Sequence, residues 1–145
     1  MPAPITVLLA EDNPGDVFLI RRALEKHGLE VTLEVVEEGQ AALRYFDELD
    51  NDSTRTPPNL ALLDLNLPRA NGSRILARIR QSPRCNAIPT IIVTSSDSPL
   101  DRDAAAKLGA TAYFQKPGDL AGFMQLGQVV RSALEAAAIA HTAGH

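Results

Sequence analysis

The sequence predicts one α/β domain: five parallel strands with helices on both faces of the sheet. Short apolar segments alternate five times with segments of helical period along the 145 residues. The strand candidates are continuous apolar runs rather than alternating ones, which is typical of a parallel sheet covered on both faces. Short loops join the elements, as expected for repeated βα units. The prediction is a single domain over 1–145, with a core at about 5–135 and a tail at 136–145.

The strand candidates share a short, apolar and partly β-branched composition. The third one, LALLD, ends in Asp64. A buried charge without a partner is costly, so Asp64 either reaches the surface or lies beside a positive group. The predicted strands span 5–10, 31–36, 60–64, 90–93 and 111–115.

The helix candidates begin and end at recognisable signals. Asn13 can cap the first helix with Pro14 at its first position, and Gly28 ends it. Asn71 and Ser98 can cap the third and fourth helices in the same way. The predicted helices span 14–27, 38–49, 71–80, 98–108 and 119–138, and the alanine-rich tail from 136 is expected to fray.

Composition narrows the class of protein. With 45% hydrophobic and 22% charged residues, the chain can bury a core. A net charge of −4 argues against a nucleic-acid-binding surface. The one cysteine, Cys85, cannot form an intramolecular disulfide. The opening MPAPITVLLAEDN is neither a secretory signal nor a membrane span, so we expect a cytoplasmic protein with no membrane contact.

Polar residues follow four of the predicted strands. Glu11 and Asp12 follow the first strand, Asp64 ends the third, Thr94 follows the fourth and Lys116 follows the fifth. Open parallel sheets bind ligands at the carboxyl ends of their strands. Three carboxylates, a hydroxyl and an amine should therefore meet at one edge, where Lys116 and a metal ion can offset the charge of Asp64.

The carboxylates predict a magnesium site, because Mg²⁺ prefers oxygen ligands. Asp12 and Asp64 can each donate an oxygen, the backbone carbonyl of Asn66 a third, and Glu11 can hold a coordinated water. Asp64 could then remain ionised and attack a phosphoryl group to form an acyl phosphate. Lys116 and the metal would hold two phosphoryl oxygens, and the Thr94 hydroxyl or the Ser95 amide the third.

Each of these residues has an ordinary explanation when taken alone: a capped turn, a surface lysine, or a strand-end hydroxyl bonded to its own backbone. The specific signal is their occurrence together at four strand ends. His141 and His145 lie four residues apart in the tail. As a metal-binding pair they are weak, and we interpret them as solvated.

Four motifs carry a family resemblance: LLAEDNPGD, LLDLNLPRANG, IIVTSSD and YFQKP. With them the sequence resembles the receiver domains of two-component response regulators over nearly its whole length. The resemblance implies a flavodoxin-like doubly wound fold with strand order 2-1-3-4-5 and five helices. It implies phosphorylation of Asp64 by a histidine kinase, with Mg²⁺ as cofactor and Mn²⁺ as a possible substitute. The residues implied for metal binding, phosphoryl contact and switching are Glu11, Asp12, Asp64, Asn66, Thr94, Lys116 and Tyr113.

The stretch EDNPGDVFLIRRAL, with LNLPRANG and TSSD, is similar to stand-alone regulators of phytochrome-type histidine kinases. A bacteriophytochrome is therefore an expected partner. With no output domain expected after the fifth helix, output would be a protein contact. We expect a homodimer through helix 4, strand 5 and helix 5, or through helix 5 alone.

Three other functions compete with this interpretation. An intermediate phosphorelay carrier would use the same residues without its own effector. A magnesium-dependent aspartyl-phosphate phosphatase needs a second aspartate where this chain has Asn66. A flavodoxin-like electron carrier needs a phosphate-binding loop and flavin-stacking aromatics, but the chain has no Trp and two Tyr. The signalling phosphoacceptor, which is not a conventional enzyme, remains the main prediction.

Overall fold

The computed structural model describes residues 5–143, with side chains through residue 138. Five strands form one parallel sheet in the order β2-β1-β3-β4-β5. The predicted doubly wound fold and its strand order are therefore confirmed. The strands are β1 Ile5–Ala10, β2 Val31–Val36, β3 Leu60–Leu63, β4 Thr90–Thr94 and β5 Ala112–Gln115. The helices are α1 Pro14–Lys26, α2 Gly39–Asn51, α3 Gly72–Gln81, α4 Pro99–Lys107, α5 Leu120–Met124 and α6 Leu126–Ala143.

The sheet separates two hydrophobic cores, which explains why its strands are apolar throughout. Neighbouring residues of a strand point to opposite faces. Leu62 thus packs in the core beneath α1, α5 and α6, whereas Leu63 packs in the core beneath α2, α3 and α4. Both leucines are fully buried. A central strand with helices on both sides therefore has no face left for polar residues.

The last helix differs from the prediction of one helix over 119–138. Asp119 caps its start as a side-chain acceptor for the Gly122 amide at 3.0 Å. Gln125 then separates α5 from α6, although its φ of −64° and ψ of −18° remain helical. The Gln125 amide bonds to the Gly122 carbonyl, three residues back, at 3.1 Å. This tighter turn interrupts the α-helical pattern, so the predicted fifth helix is two segments.

The alanine-rich end is helical further than predicted. The expected end at 138 is wrong, because α6 continues to Ala143. Alanine has the highest intrinsic helix propensity, which favours this extension of α6. Of the predicted histidine pair, His145 lies outside the described residues and the side chain of His141 is not among those described.

The strand order places the ends of β1 and β3 side by side at the centre of the sheet. Two backbone bonds extend the pairing beyond the strands: the Glu11 amide to the Val36 carbonyl at 2.9 Å, and the Asp64 amide to the Ala10 carbonyl at 3.0 Å. The chain leaves β1 toward β2 on one side, while β3 lies on the other. This is the switch point at which such sheets bind ligands.

Among residues 5–143, no helix combines the length and apolar composition that a membrane-spanning segment requires.

Candidate functional site

Three carboxylates gather where β1 and β3 end. Glu11, Asp12 and Asp64 each offer an oxygen, and these three oxygens lie within 4.8 Å of one another. Glu11 and Asp64 are buried, whereas Asp12 is exposed. The backbone bonds that extend the sheet hold Glu11 and Asp64 at neighbouring positions. The structure therefore brings together the three acids that the sequence predicted to meet.

Lys116 supplies the positive group beside Asp64. Its Nζ donates to Asp64 Oδ2 at 2.9 Å, to Glu11 Oε1 at 2.6 Å and to Asp16 Oδ2 at 2.7 Å. The backbone of Lys116 is held by a 2.7 Å bond from its amide to the Thr94 carbonyl. The side chain is 8% exposed, so these bonds lie largely away from solvent. Charged bonds of this kind are stronger than neutral ones.

Asp16 is the site residue that the sequence did not reveal. It lies in the first turn of α1, where an acid is already explained by helix capping and the helix dipole. Its partner Lys116 follows β5, 100 positions further along the chain. Only the packing of α1 beside the sheet edge brings the two together, and no spacing rule within the sequence signals that contact.

The electrostatic environment shifts the pKa values of the two buried carboxyls in opposite directions. Burial raises the pKa of Glu11 to about 7, with the charge of Asp64 adding to the effect and Lys116 opposing it. Burial also acts to raise the pKa of Asp64. Hydrogen bonds from the Asn66 amide and Lys116 outweigh this, so the pKa of Asp64 is below its usual value. Asp64 is therefore ionised at neutral pH, as a nucleophilic carboxylate must be.

Lys116 stays positively charged in this environment. Burial acts to lower the pKa of Lys116, but the hydrogen bonds to Asp16, Glu11 and Asp64 raise it above its ordinary value. A lysine that keeps its proton at neutral pH donates hydrogen bonds to anions and attracts them electrostatically, but it does not transfer the proton as a general acid.

The donor set fits a hard divalent cation. Three carboxylates supply only oxygen ligands, which Mg²⁺ and Mn²⁺ prefer. One ammonium cannot neutralise all of them, so a cation among their oxygens would remove the remaining repulsion. Asp16 is not a member of this three-carboxylate group. Asn66 lies beside the group, and its amide donates to Asp64 Oδ1 at 3.0 Å. The metal contact of its carbonyl remains a prediction.

Thr94 ends β4, and Tyr113 lies on β5, which pairs with β4 in the sheet. Thr94 is fully buried, and its Oγ1 accepts a 3.4 Å bond from the Ser96 amide. The Tyr113 hydroxyl donates to the Ser96 carbonyl at 3.0 Å. The Arg102 guanidinium lies 4.5 Å from the centre of the Tyr113 ring. Tyr113 is thus already half-buried and connected to the loop that Thr94 begins.

The loop after Asp64 adopts an uncommon backbone conformation. Arg69 and Ala70 have φ values of +59° and +120°, a region that side chains disfavour. The amide of Gly39 at the start of α2 donates to the Pro68 carbonyl at 3.0 Å. A Cβ at Gly39 would collide with the Ala70 carbonyl oxygen. Close contact with α2 therefore holds this loop in place.

Comparison with known proteins identifies one family. Residues 7–127 match the family described as the response regulator receiver domain. Response regulator Rcp1 of Synechocystis sp. is 31% identical over 129 residues, covering 89% of this chain and 88% of that protein. Protein PilH of Pseudomonas aeruginosa is 30% identical over 114 residues, covering 78% of this chain and 86% of that protein.

Solved structures agree with the sequence comparisons. The phosphorylated cyanobacterial phytochrome response regulator RcpA superimposes with a TM-score of 0.78 at 29% identity, covering 88% of this chain and 91% of RcpA. The Mn²⁺-bound form of Rcp1 gives a TM-score of 0.78 at 31% identity, with coverages of 89% and 93%. The bacteriophytochrome response regulator RtBRR gives 0.73 at 32% identity, with coverages of 91% and 78%.

Proposed function

This chain belongs to the response regulator receiver domain family, and from that premise we propose that it accepts a phosphoryl group from a histidine kinase on Asp64. The reaction would require Mg²⁺, for which Mn²⁺ could substitute. One observation carries the proposal: Lys116 bonds an ionised Asp64 whose oxygen lies within 4.8 Å of oxygens from Glu11 and Asp12. The receiver core would span about residues 5–135, and the protein would act in the cytoplasm.

In the proposed reaction an Asp64 oxygen attacks the phosphorus of a phosphohistidine. The oxygen–phosphorus bond forms as the phosphorus–nitrogen bond breaks, and the imidazole leaves with its electron pair and gains a proton. Lys116 neutralises charge on the phosphoryl oxygens, and the Thr94 hydroxyl donates to one of them. When bound by Glu11, Asp12, Asp64 and the Asn66 carbonyl, the cation offsets the charge of the carboxylates and the phosphoryl group.

Thr94 and Tyr113 form the proposed switch. Phosphorylation adds about two negative charges at Asp64, which would draw the Thr94 hydroxyl toward the phosphoryl group. Tyr113 would then shift from its bond to Ser96 into the space that Thr94 leaves. Because this bond connects β5 to the loop before α4, the movement would change the surface of α4 and β5.

A phytochrome-type histidine kinase is the proposed partner. The support is the similarity to Rcp1, RcpA and RtBRR, two of which are described as phytochrome or bacteriophytochrome regulators. Output through a homodimer is proposed as well. The proposed contact runs through α4, β5 and the predicted fifth helix, which is α5 and α6 here, or through that helix alone. Leu100 on α4 and Leu120 on α5 are 80% and 63% exposed, which supports it. The net charge of −4 supports a protein partner rather than nucleic acid.

Family membership and Asn66 together favour a phosphoacceptor over the phosphatase alternative. A phosphatase of that kind needs a second carboxylic acid as proton donor, and the amide of Asn66 cannot supply one. The flavodoxin-like carrier shares the strand order but places a phosphate-binding loop where this chain has Glu11 and Asp12.

Phosphotransfer tests the proposal. The wild-type chain, Asp64→Asn and Asp97→Asn are each incubated with radiolabelled, autophosphorylated bacteriophytochrome kinase, with Mg²⁺ or with excess chelator. Label should pass to the wild type and to the control Asp97→Asn, whose exposed carboxylate lies outside the cluster. It should not pass to Asp64→Asn or in the presence of chelator. Label on Asp64→Asn would refute the assignment of the acceptor.

The partner and dimer proposals have their own readouts. A small-molecule phosphodonor such as acetyl phosphate tests the acceptor chemistry without any kinase. Acceptance from that donor but not from the phytochrome-type kinase would overturn only the partner. Sedimentation with and without beryllofluoride tests the dimer, and a monomer in both conditions at tens of micromolar would remove it.

A further inference from the structure

The Lys116 ammonium has no free donor in this structure. A lysine ammonium carries three N–H groups. Three carboxylates accept from it at 2.6–2.9 Å: those of Glu11, Asp16 and Asp64. The proposed function requires Lys116 to donate to a phosphoryl oxygen. Formation of the acyl phosphate removes the negative charge of the Asp64 carboxylate and so weakens its bond to Lys116. The phosphoryl group then competes for the ammonium with the two partners that stay ionised, Glu11 and Asp16.

Asp16 is the partner whose bond can be released with the least disturbance. Glu11 and Asp64 belong to the three-carboxylate group, and each also accepts a second bond, from the Asn13 amide and the Asn66 amide respectively. Asp16 is outside that group, and its side chain, 25% exposed, can be hydrated once it is released. Water can thus replace Lys116 at Asp16 but not at the buried Glu11.

Asp16 is also fixed in position by its helix. Its backbone amide donates to Asn13 Oδ1 at 3.1 Å, which caps the start of α1. A residue held in the first turn of a capped helix cannot follow the ammonium if it moves toward a phosphoryl group. Its negative charge also lies close to Asp64, because both carboxylates bind the same nitrogen. That charge would repel an incoming phosphoryl group.

We propose that Asp16 is a positioning residue that restrains Lys116 in the unphosphorylated protein and competes with the phosphoryl group for its ammonium. The inference rests on the proposed function and adds a residue to it. Asp16 stabilises the protein before phosphorylation and lowers its affinity for the phosphoryl group. Stability without ligand and phosphoryl affinity therefore depend on Asp16 with opposite signs, whereas loss of a merely structural contact would lower both.

Beryllofluoride, a mimic of the phosphoryl group, measures the competition at equilibrium. The full chain is titrated with beryllofluoride at saturating Mg²⁺ by calorimetry, for the wild type, Asp16→Ala, Asp16→Asn and Asp16→Glu. Loss of the competing charged bond should tighten binding by Asp16→Ala roughly tenfold, with Asp16→Asn changed in the same direction. Asp16→Glu keeps a carboxylate and should stay near the wild type. Asp103→Asn, which neutralises an exposed acid on α4, is the matched control and should not change.

Two further measurements separate competition from a general change. The melting temperature of Asp16→Ala without metal should fall, because an ion pair is lost. Its affinity for Mg²⁺ alone should not rise, because a negative charge has been removed near the cation. Tighter binding of beryllofluoride without a gain in Mg²⁺ affinity would then show that Asp16 acts against the phosphoryl group and not on the metal site in general.

The outcomes distinguish a failure of the proposed role of Asp16 from a failure of the proposed phosphoacceptor function. If the wild type binds no beryllofluoride, the proposed function fails and the role of Asp16 fails with it. If the wild type binds and both Asp16→Ala and Asp16→Asn bind equally or more weakly, the phosphoacceptor function stands and the restraint by Asp16 is wrong.

Discussion

Replacement of Lys116 by methionine tests whether this lysine is what allows three acids to coexist at the sheet edge. Methionine has a similar length but no charge, so Lys116→Met leaves the carboxylates without a cation. Two carboxylates whose oxygens lie no more than 4.8 Å apart repel by at least about 3 kcal/mol at an effective dielectric constant of about 20. Loss of one partner from a buried ion pair costs a similar amount, about 3–5 kcal/mol. Proton uptake by Glu11, whose pKa is already about 7, relieves part of the repulsion.

We therefore expect Lys116→Met to lose about 3 kcal/mol of unfolding free energy at pH 7.5 without metal. For a chain of this size that loss lowers the melting temperature by about 10 °C. Lys107→Met, which removes an exposed lysine on α4, is the control and should remain within about 0.5 kcal/mol of the wild type. Urea unfolding followed by circular dichroism measures all three proteins.

The loss of unfolding free energy in Lys116→Met should become smaller as the pH falls. The pKa of Asp64 is depressed in the folded wild type, so its stabilisation is present above its unfolded pKa of about 3.8 and is lost as the pH falls through the folded value. Lys116 lowers the pKa of both Glu11 and Asp64, so these two carboxyls should take up protons at higher pH in Lys116→Met, and their repulsion disappears once they are protonated. The difference between the two proteins should shrink from pH 7.5 to pH 4, and Mg²⁺ should restore more stability to the variant. A difference below about 1 kcal/mol that is unchanged by pH and by Mg²⁺ would refute this electrostatic account.

Three further perturbations test other parts of the structure. Gly39→Ala should lower the free energy of unfolding in urea by about 2–3 kcal/mol, because the added Cβ would collide with a carbonyl of the loop after Asp64. Gly118→Ala is the control and should be neutral, because nothing lies within 4 Å of its added Cβ. Equal effects of the two substitutions would contradict the packing argument. Asp50→Asn should cost about 1–3 kcal/mol at neutral pH. Burial acts to raise the pKa of Asp50, but hydrogen bonds from Ser82 and Arg78 outweigh it and hold that pKa below its usual value. The stabilisation by Asp50 is therefore lost as the pH falls through its folded pKa. A cost of Asp50→Asn that persists in acid would count against this assignment. Tyr113→Ala should still accept phosphate from acetyl phosphate but lose phosphorylation-dependent dimerisation; retained dimerisation would show that Tyr113 does not transmit the change.

Local patterns were sufficient to predict most of the secondary structure. The predicted caps at Asn13, Asn71 and Ser98 each accept the expected backbone amide. These signals act within a few residues of the chain, so their physics is contained in the sequence. The strand order came from the family resemblance, and the structure confirms it. The sequence does not predict the helix break at Gln125, because no proline or glycine occupies that position. The break is also slight, since the backbone angles of Gln125 remain helical.

The sequence by itself determined which residue types stand at the strand ends, and parallel strands must bring their carboxyl ends to one edge. That rule is enough to predict that Glu11, Asp12, Asp64 and Lys116 gather. Only the tertiary structure decided how the Lys116 donors are shared, because this depends on where α1 packs against the sheet. Asp16 shows the difference: its position in α1 follows from local capping, but its bond to Lys116 arises from helix packing across 100 positions of chain.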